Sequence, residues 1–113
     1  MQVIFESRDA DGAQMRDFSV ERVRFALRRL TTFVPQAKVQ FSDVNGLRGG
    51  VDKRCQVELK TYNASTVVIA SLARDWRTAL DRSLSRATRV LTRSRQRAQK
   101  TVRDRTAKLA FDS

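Results

Sequence analysis

From Gln2 to Ser7 the chain alternates, with Val3 and Phe5 set against Gln2, Ile4 and Glu6, which predicts a short strand. A turn is expected over Asp9 to Gly12. Asp11-Gly12-Ala13-Gln14 has capping-box spacing, since Gln14 is placed to reach back to the cap residue. The apolar period then changes. Met15, Phe18, Val23, Ala26, Leu27 and Leu30 recur close to every 3.6 residues and predict a helix over residues 12–31. Pro35 ends any continuation, because it biases Val34 away from the helical region.

Three further strands follow. Lys38 to Val44 carries Val39 and Phe41 on one side. Lys53 to Thr61 alternates more cleanly, with Cys55, Val57 and Leu59 facing in and Arg54, Gln56, Glu58 and Lys60 facing out. Thr66 to Leu72 is a β-branched run, preceded by a natural hairpin turn at Asn63-Ala64-Ser65. The connection Asn45-Gly46-Leu47-Arg48-Gly49-Gly50 is glycine-rich. After Asp75, a good N-cap, a long helix is predicted to about residue 105. Its buried stripe is Trp76, Leu80, Leu84, Ala87, Leu91 and Ala98, with Val90 at the edge. The expected layout is therefore α+β, β-α-β-β-β-α, with a four-stranded mixed sheet and two helices on one face. Residues 1–105 form one domain in this reading, and 106–113 a disordered or frayed tail.

At 113 residues there is room for a single domain. No apolar run is long enough to span a bilayer. Met1 to Glu6 lacks the basic and apolar regions of a signal peptide, and one cysteine, Cys55, suits a reducing compartment. A cytoplasmic protein without a membrane partner is expected.

Charge adds the decisive information. Lys and Arg number 23 against 12 Asp and Glu, for a net charge of +11. Through Asp75 the count is 12 basic and 9 acidic residues, or +3. From Trp76 onward it is 11 basic and 3 acidic, or +8. A field of that sign favours polyanions, of which nucleic acid is the commonest in a cell. An acidic membrane surface would instead need bulky apolar residues exposed opposite the basic face.

The excess is ordered. Arg82, Arg86, Arg89, Arg93, Arg97 and Lys100 succeed one another at steps of three or four, within a sector of about 80° away from the leucine stripe. Such a row repels itself by a few tenths of a kcal/mol per pair unless an anion meets it. Five of its six members are arginine, which forks onto phosphate oxygens. A merely solvated face usually mixes signs, so phosphate binding is the favoured reading. Lys38, Arg48, Lys53, Arg54 and Lys60 mark a second basic zone on the sheet. Lys38 and Lys60 there either extend the phosphate track or guard strand edges against aggregation.

Catalytic chemistry is poorly provided for. The chain has no histidine, hence neither the commonest general base nor the commonest zinc ligand. Cys55 is expected to be a core thiol. The glycines at 46, 49 and 50 lack the Gly-Lys-Ser/Thr and the following helix of a P-loop, so a flexible hairpin with Arg48 at its tip fits better. Asp43 and Asp52 can pair or hold a cation, although Asp at hairpin ends more often bonds the turn backbone. Trp76 lies on the core stripe, which leaves Tyr62 as the exposed aromatic. No enzyme, metal, cofactor or small-molecule substrate is expected.

The segment Asp43-Val44-Asn45-Gly46-Leu47-Arg48-Gly49-Gly50-Val51-Asp52-Lys53-Arg54-Cys55, the run Asp75 to Ala79-Leu80-Asp81-Arg82 and the element order resemble the hibernation-promoting factor and ribosome-associated inhibitor family. The likeness covers roughly residues 2–100 and is to the short form, of the sigma-54 modulation protein type. It implies a fold similar to double-stranded-RNA-binding domains. It also implies docking on small-subunit 16S rRNA, in the mRNA channel near the decoding centre, where tRNA and mRNA would be excluded and translation silenced under stress or in stationary phase. Arg82, Arg86, Arg89, Arg93, Arg97 and Lys100 would meet rRNA phosphates, with Lys38, Arg48, Lys53 and Lys60 beside them. The free protein would be a monomer. Two departures stand out: a first helix about a turn longer, whose Arg16, Arg22, Arg24, Arg28 and Arg29 add basic charge, and residues 101–113, which have no clear counterpart.

Other readings remain. A general RNA- or DNA-binding protein of the same fold would carry the same charge. A regulatory homologue with a protein partner would need an exposed apolar patch, for which only Phe33, Val34 and Leu47 offer themselves.

Overall fold

The computed structural model describes residues 1–44, 51–63 and 65–112, with side chains described through Lys100. The chain runs β1 (Gln2–Ser7), α1 (Ala10–Ala13), α2 (Arg16–Ala26), β2 (Gln36–Asp43), β3 (Lys53–Lys60), β4 (Thr66–Ala73) and α3 (Trp76–Asp112). The strands form one mixed sheet in the order β1-β2-β3-β4, with β1 parallel to β2 and the other pairs antiparallel. This is the α+β class and element order expected from the pattern.

Register explains the two faces of the sheet. Phe5, Val39, Val57 and Ile69 stand side by side across the four strands, as do Val3, Ala37, Leu59 and Val67. These rows face the helices, and Ala37, Val39, Val57 and Leu59 are fully buried. The intervening rows are mostly polar, with Lys38 opposite Glu58 and Gln40 opposite Gln56. Helix α3 covers β3 and β4 while α2 lies over β1. The buried stripe of α3 includes Trp76, Leu80, Leu84, Ala87 and Leu91, as expected, together with Ala79 and Ser83. Ala79, Ser83 and Ala87, four residues apart, form a ridge of small side chains that brings the helix close to the sheet. There the Ser83 hydroxyl donates to the Cys55 carbonyl at 3.0 Å. Ala98 is only half-buried and Val90 is exposed.

Three expectations need correction. The predicted helix over residues 12–31 is two helices, broken at Gln14 and Met15, and the second ends at Ala26. From Leu27 the chain tightens into turns, with Leu30 N–H donating to the Leu27 carbonyl and Phe33 N–H to that of Leu30. This tucks Leu27, Leu30 and Val34 into the core before β2. The capping box at Asp11 and Gln14 does not form. Asp9 is the N-cap of α1 and makes no side-chain cap; its carboxylate accepts from the Asp43 N–H at 2.8 Å, and that of Asp11 accepts from Trp76 Nε1 at 3.1 Å. Both acids are spent on tertiary links. Finally, α3 continues to Asp112, past the expected end near 105, through a segment without glycine or proline.

Asp75 does cap α3. Its carboxylate accepts from the Thr78 N–H at 2.7 Å and from the Thr78 hydroxyl at 2.9 Å. At 37 residues α3 is about 55 Å long, against about 27 Å for eight-residue β4. Beyond Leu91 none of its described side chains is fully buried.

Candidate nucleic-acid interface

The geometry of α3 turns the arginine row outward. With Trp76, Leu80, Leu84 and Leu91 against the sheet, Arg82, Arg86, Arg89, Arg93, Arg97 and Lys100 fall on the opposite side, and all six are exposed. Asp81, the acid beside the row, is already held: Arg22 Nε and Nη2 donate to its two oxygens at 2.9 and 3.3 Å. Hydrogen bonding to Asp81 raises the Arg22 pKa above its ordinary value. Asp75 is committed to capping, which lowers its pKa, chiefly through the Thr78 N–H. Among the described residues no carboxylate forms an ion pair with Arg86, Arg89 or Arg93, whereas the charge of Arg82 helps to lower the Asp75 pKa.

The row is a ridge between two hollows. Toward the sheet, Arg82 and Arg86 line a groove with Arg54, Ala70, Ser71 and Leu72. Toward α2, Arg89 lines a trough with Arg22, Phe25 and Leu84, and next to it lies a second hollow edged by Arg28, Arg29 and Arg95. Arg95 Nη1 donates to the Arg29 carbonyl at 3.3 Å, and the Arg28 guanidinium lies 4.3 Å from the centre of the exposed Phe25 ring. Of the basic residues expected on the first helix, Arg22, Arg28 and Arg29 thus stand beside the α3 row, whereas Arg24 donates to the Met1 carbonyl at 3.4 Å.

The sheet residues are distributed differently. Lys38 lies on the face away from the helices, 3.6 Å from Glu6, and Lys60 is exposed at the end of β3 on that same face. The thickness of the sheet separates both from the α3 row. Lys53 belongs to neither zone. It occupies the helix-side face at the start of β3, with Nζ 2.6 Å from Asp43, 3.7 Å from Asp52 and 5.4 Å from the centre of the Trp76 ring. The hydrogen bond to Asp43 raises its pKa. Asp43 and Asp52 do pair with a cation, then, and it is this ammonium. Arg48 and the rest of the glycine-rich connection lie outside the described residues, as does Ala64 of the hairpin turn.

Arg54, expected in the basic zone of the sheet, reaches the groove from the outer face of β3, and Arg95, which spacing did not single out, joins the α2–α3 seam. Trp76 is 7% exposed and stacks on Phe41 at 4.8 Å, and Tyr62 is 71% exposed, both as expected, but Phe25 is a second exposed aromatic that the sequence did not single out. Cys55 is fully buried, and burial pushes its thiol up to about 12. Among the described residues no group of acids, cysteines or histidines is arranged to hold a metal, and no helix is long and apolar enough to cross a membrane.

A fold of this class, one mixed four-stranded sheet with its helices on one side and a long basic helix at the end, has solved counterparts. A ribosomal subunit interface protein from Coxiella burnetii superposes with a TM-score of 0.66 at 14% identity, over 85% of this chain and 99% of its own. The N-terminal domain of Protein Y from Thermus thermophilus gives 0.63 at 18% identity, over 82% and 98%. At these identities the likeness is one of fold. No family model matches the sequence, and no curated protein does.

Proposed function

We propose that this chain belongs to the hibernation-promoting factor and ribosome-associated inhibitor family and is a cytoplasmic, non-enzymatic ribosome-binding inhibitor of translation. The supporting observation is the exposed arginine ridge of α3, on a fold shared with a ribosomal subunit interface protein. The protein docks electrostatically on 16S rRNA of the small subunit, in the mRNA channel near the decoding centre. It excludes tRNA and mRNA by occupancy, with no bond made or broken. Arg82, Arg86, Arg89, Arg93, Arg97 and Lys100 meet phosphates directly. Lys38 and Lys60, on the far face, engage only where rRNA wraps the sheet, and Lys53 serves the fold through Asp43 and Trp76. The free protein is a monomer.

Six phosphate contacts predict an affinity that falls with log salt at a slope of about −4 to −5. The test is co-sedimentation with ribosomes through sucrose gradients at two salt concentrations. Stoichiometric, salt-sensitive recovery with the small subunit is expected. Even recovery across all RNA-containing fractions would replace this reading with that of a general nucleic-acid binder.

A further inference from the structure

The two basic zones lie on opposite sides of the sheet, and they approach each other around the β4 edge. There Arg54 from the outer face and Arg82 and Arg86 from α3 line one groove of about 350 Å³, floored by Ala70, Ser71 and Leu72. No carboxylate lines it. The acids nearest in sequence are engaged elsewhere: Asp81 by Arg22, Asp52 by Lys53 and Asp75 as the cap of α3.

Two of the three arginines are held in place by bonds that use a small part of their donor set. Arg82 Nη1 donates to the Leu72 carbonyl at 3.0 Å, and Arg54 Nη2 to Gln56 Oε1 at 3.0 Å. A guanidinium has five N–H donors, so each retains several. The backbone adds another. Leu72 directs its carbonyl to the open edge, and in an antiparallel strand alternate residues point their N–H and C=O the same way, so Ala70 presents its N–H outward. Ser71, a lining residue of the same groove, is only 8% exposed, and its hydroxyl is buried without a hydrogen-bond partner.

We propose that this groove is a phosphate-binding site that seats one nucleotide-sized phosphoanion between Arg54 on the sheet and Arg82 and Arg86 on the helix. Its size is at the lower end of small-ligand sites, about 300–1,000 Å³. Forked guanidinium donors match phosphate oxygens, and donors already oriented lose little freedom on binding. The proposal deepens the RNA-binding reading, on which it rests for the source of the phosphate: a backbone phosphate of RNA wrapping from α3 to the outer face. The chemistry is equally that of a free mononucleotide.

The full chain is titrated with adenosine monophosphate and, separately, with a short single-stranded RNA, following arginine Nε–H and backbone amide signals by NMR. Adenosine monophosphate should shift Arg54, Arg82, Arg86, Ala70 and Ser71 together and saturate them together. Arg54→Gln should weaken that binding about tenfold, the size of one lost charge-assisted contact, and Arg86→Gln likewise. Arg16→Gln, at an exposed arginine outside both the groove and the α3 row, should leave it unchanged. With RNA, Arg54→Gln should reduce the salt slope by about 1. Shifts spread evenly over all exposed arginines, or wild-type nucleotide binding by Arg54→Gln, overturn the site. If RNA then still binds, and reversal of the α3 row abolishes that, the RNA reading survives without the groove. If the nucleotide is seated but ribosomes are not bound, the groove stands and its ligand is a free nucleotide.

Discussion

Cys55 occupies the middle of an alternating strand, where its neighbours Arg54 and Gln56 turn outward and its own thiol is fully buried beneath α3. Burial raises the thiol pKa from 9.0 to about 12, outweighing the lowering by the Ser83 hydrogen bond and by Arg54. Native protein should therefore resist Ellman's reagent at pH about 8, with full reaction only after unfolding; rapid labelling of the native chain would contradict the burial. The sign of the pH effect follows. Because the folded pKa lies above the unfolded one, this contribution to stability is complete below pH about 9 and is lost as pH rises toward 12. A Cys55→Ala variant should lose less stability than wild type between pH about 8 and about 10. Gly12 is a second residue-scale case. A Cβ there would collide with Ser7 Oγ and lie 3.2 Å from Trp76 Cζ2, so Gly12→Ala should cost about 1–3 kcal/mol by denaturant titration. The strand period that makes the burial of Cys55 legible also puts Lys53 on the inward face, two residues earlier. What no period shows is its partner, because the pairing with Asp43 depends on a cross-strand register that the length of the connection alone does not fix.

At the scale of elements, the strands are legible because each carries its own period of two, and α3 because its leucines recur over several turns. The first helix departs from its pattern for a physical reason. Met15 and Phe18 keep the helical period straight through the break at Gln14–Met15, while the contact that fixes α1 is remote: Asp11 bonds Trp76, 65 residues away in sequence. No local pattern records that link. The interface is half legible in the same sense. The α3 row is periodic and visible, but Arg54 joins it only because β4 is the last strand of the sheet, one strand's width from the helix. The start of α3 gives a prediction of its own. Hydrogen bonds from the Thr78 N–H and hydroxyl hold the Asp75 pKa below 3.8. A lowered pKa stabilises the fold above the unfolded value and ceases to do so as pH falls through the folded one. Asp75→Asn should therefore lower the thermal midpoint at neutral pH, with the difference from wild type shrinking below pH about 3.8. An equal difference at all pH values would mean that the charge plays no part in the cap.

For the whole molecule the governing quantity is a net charge of +11 on 113 residues, with the excess gathered on one helix. Hydrophobic burial beneath α3 holds that charge in place against its own repulsion, since neighbouring arginines of the row stand one helical turn apart without an acid between them. The cost is electrostatic and exposed, so added salt should relieve it: the Debye length falls from about 30 Å at 0.01 M to about 10 Å at 0.1 M. The thermal midpoint of the free protein should rise over that range, the reverse of what surface ion pairs would give. Replacing Arg86, Arg89 and Arg93 by Glu would turn the repulsions at the 82–86 and 93–97 steps into attractions, leave the two steps between the new acids repulsive, and lower the net charge by six from +11. That variant should melt no lower than wild type at low salt, show a smaller salt response, and fail to co-sediment with ribosomes. The three readouts separate the causes. Loss of binding with the fold intact assigns the phosphate contacts to the ridge. Retained binding would move them to the outer face of the sheet, and a lowered midpoint would show that these arginines support the fold itself.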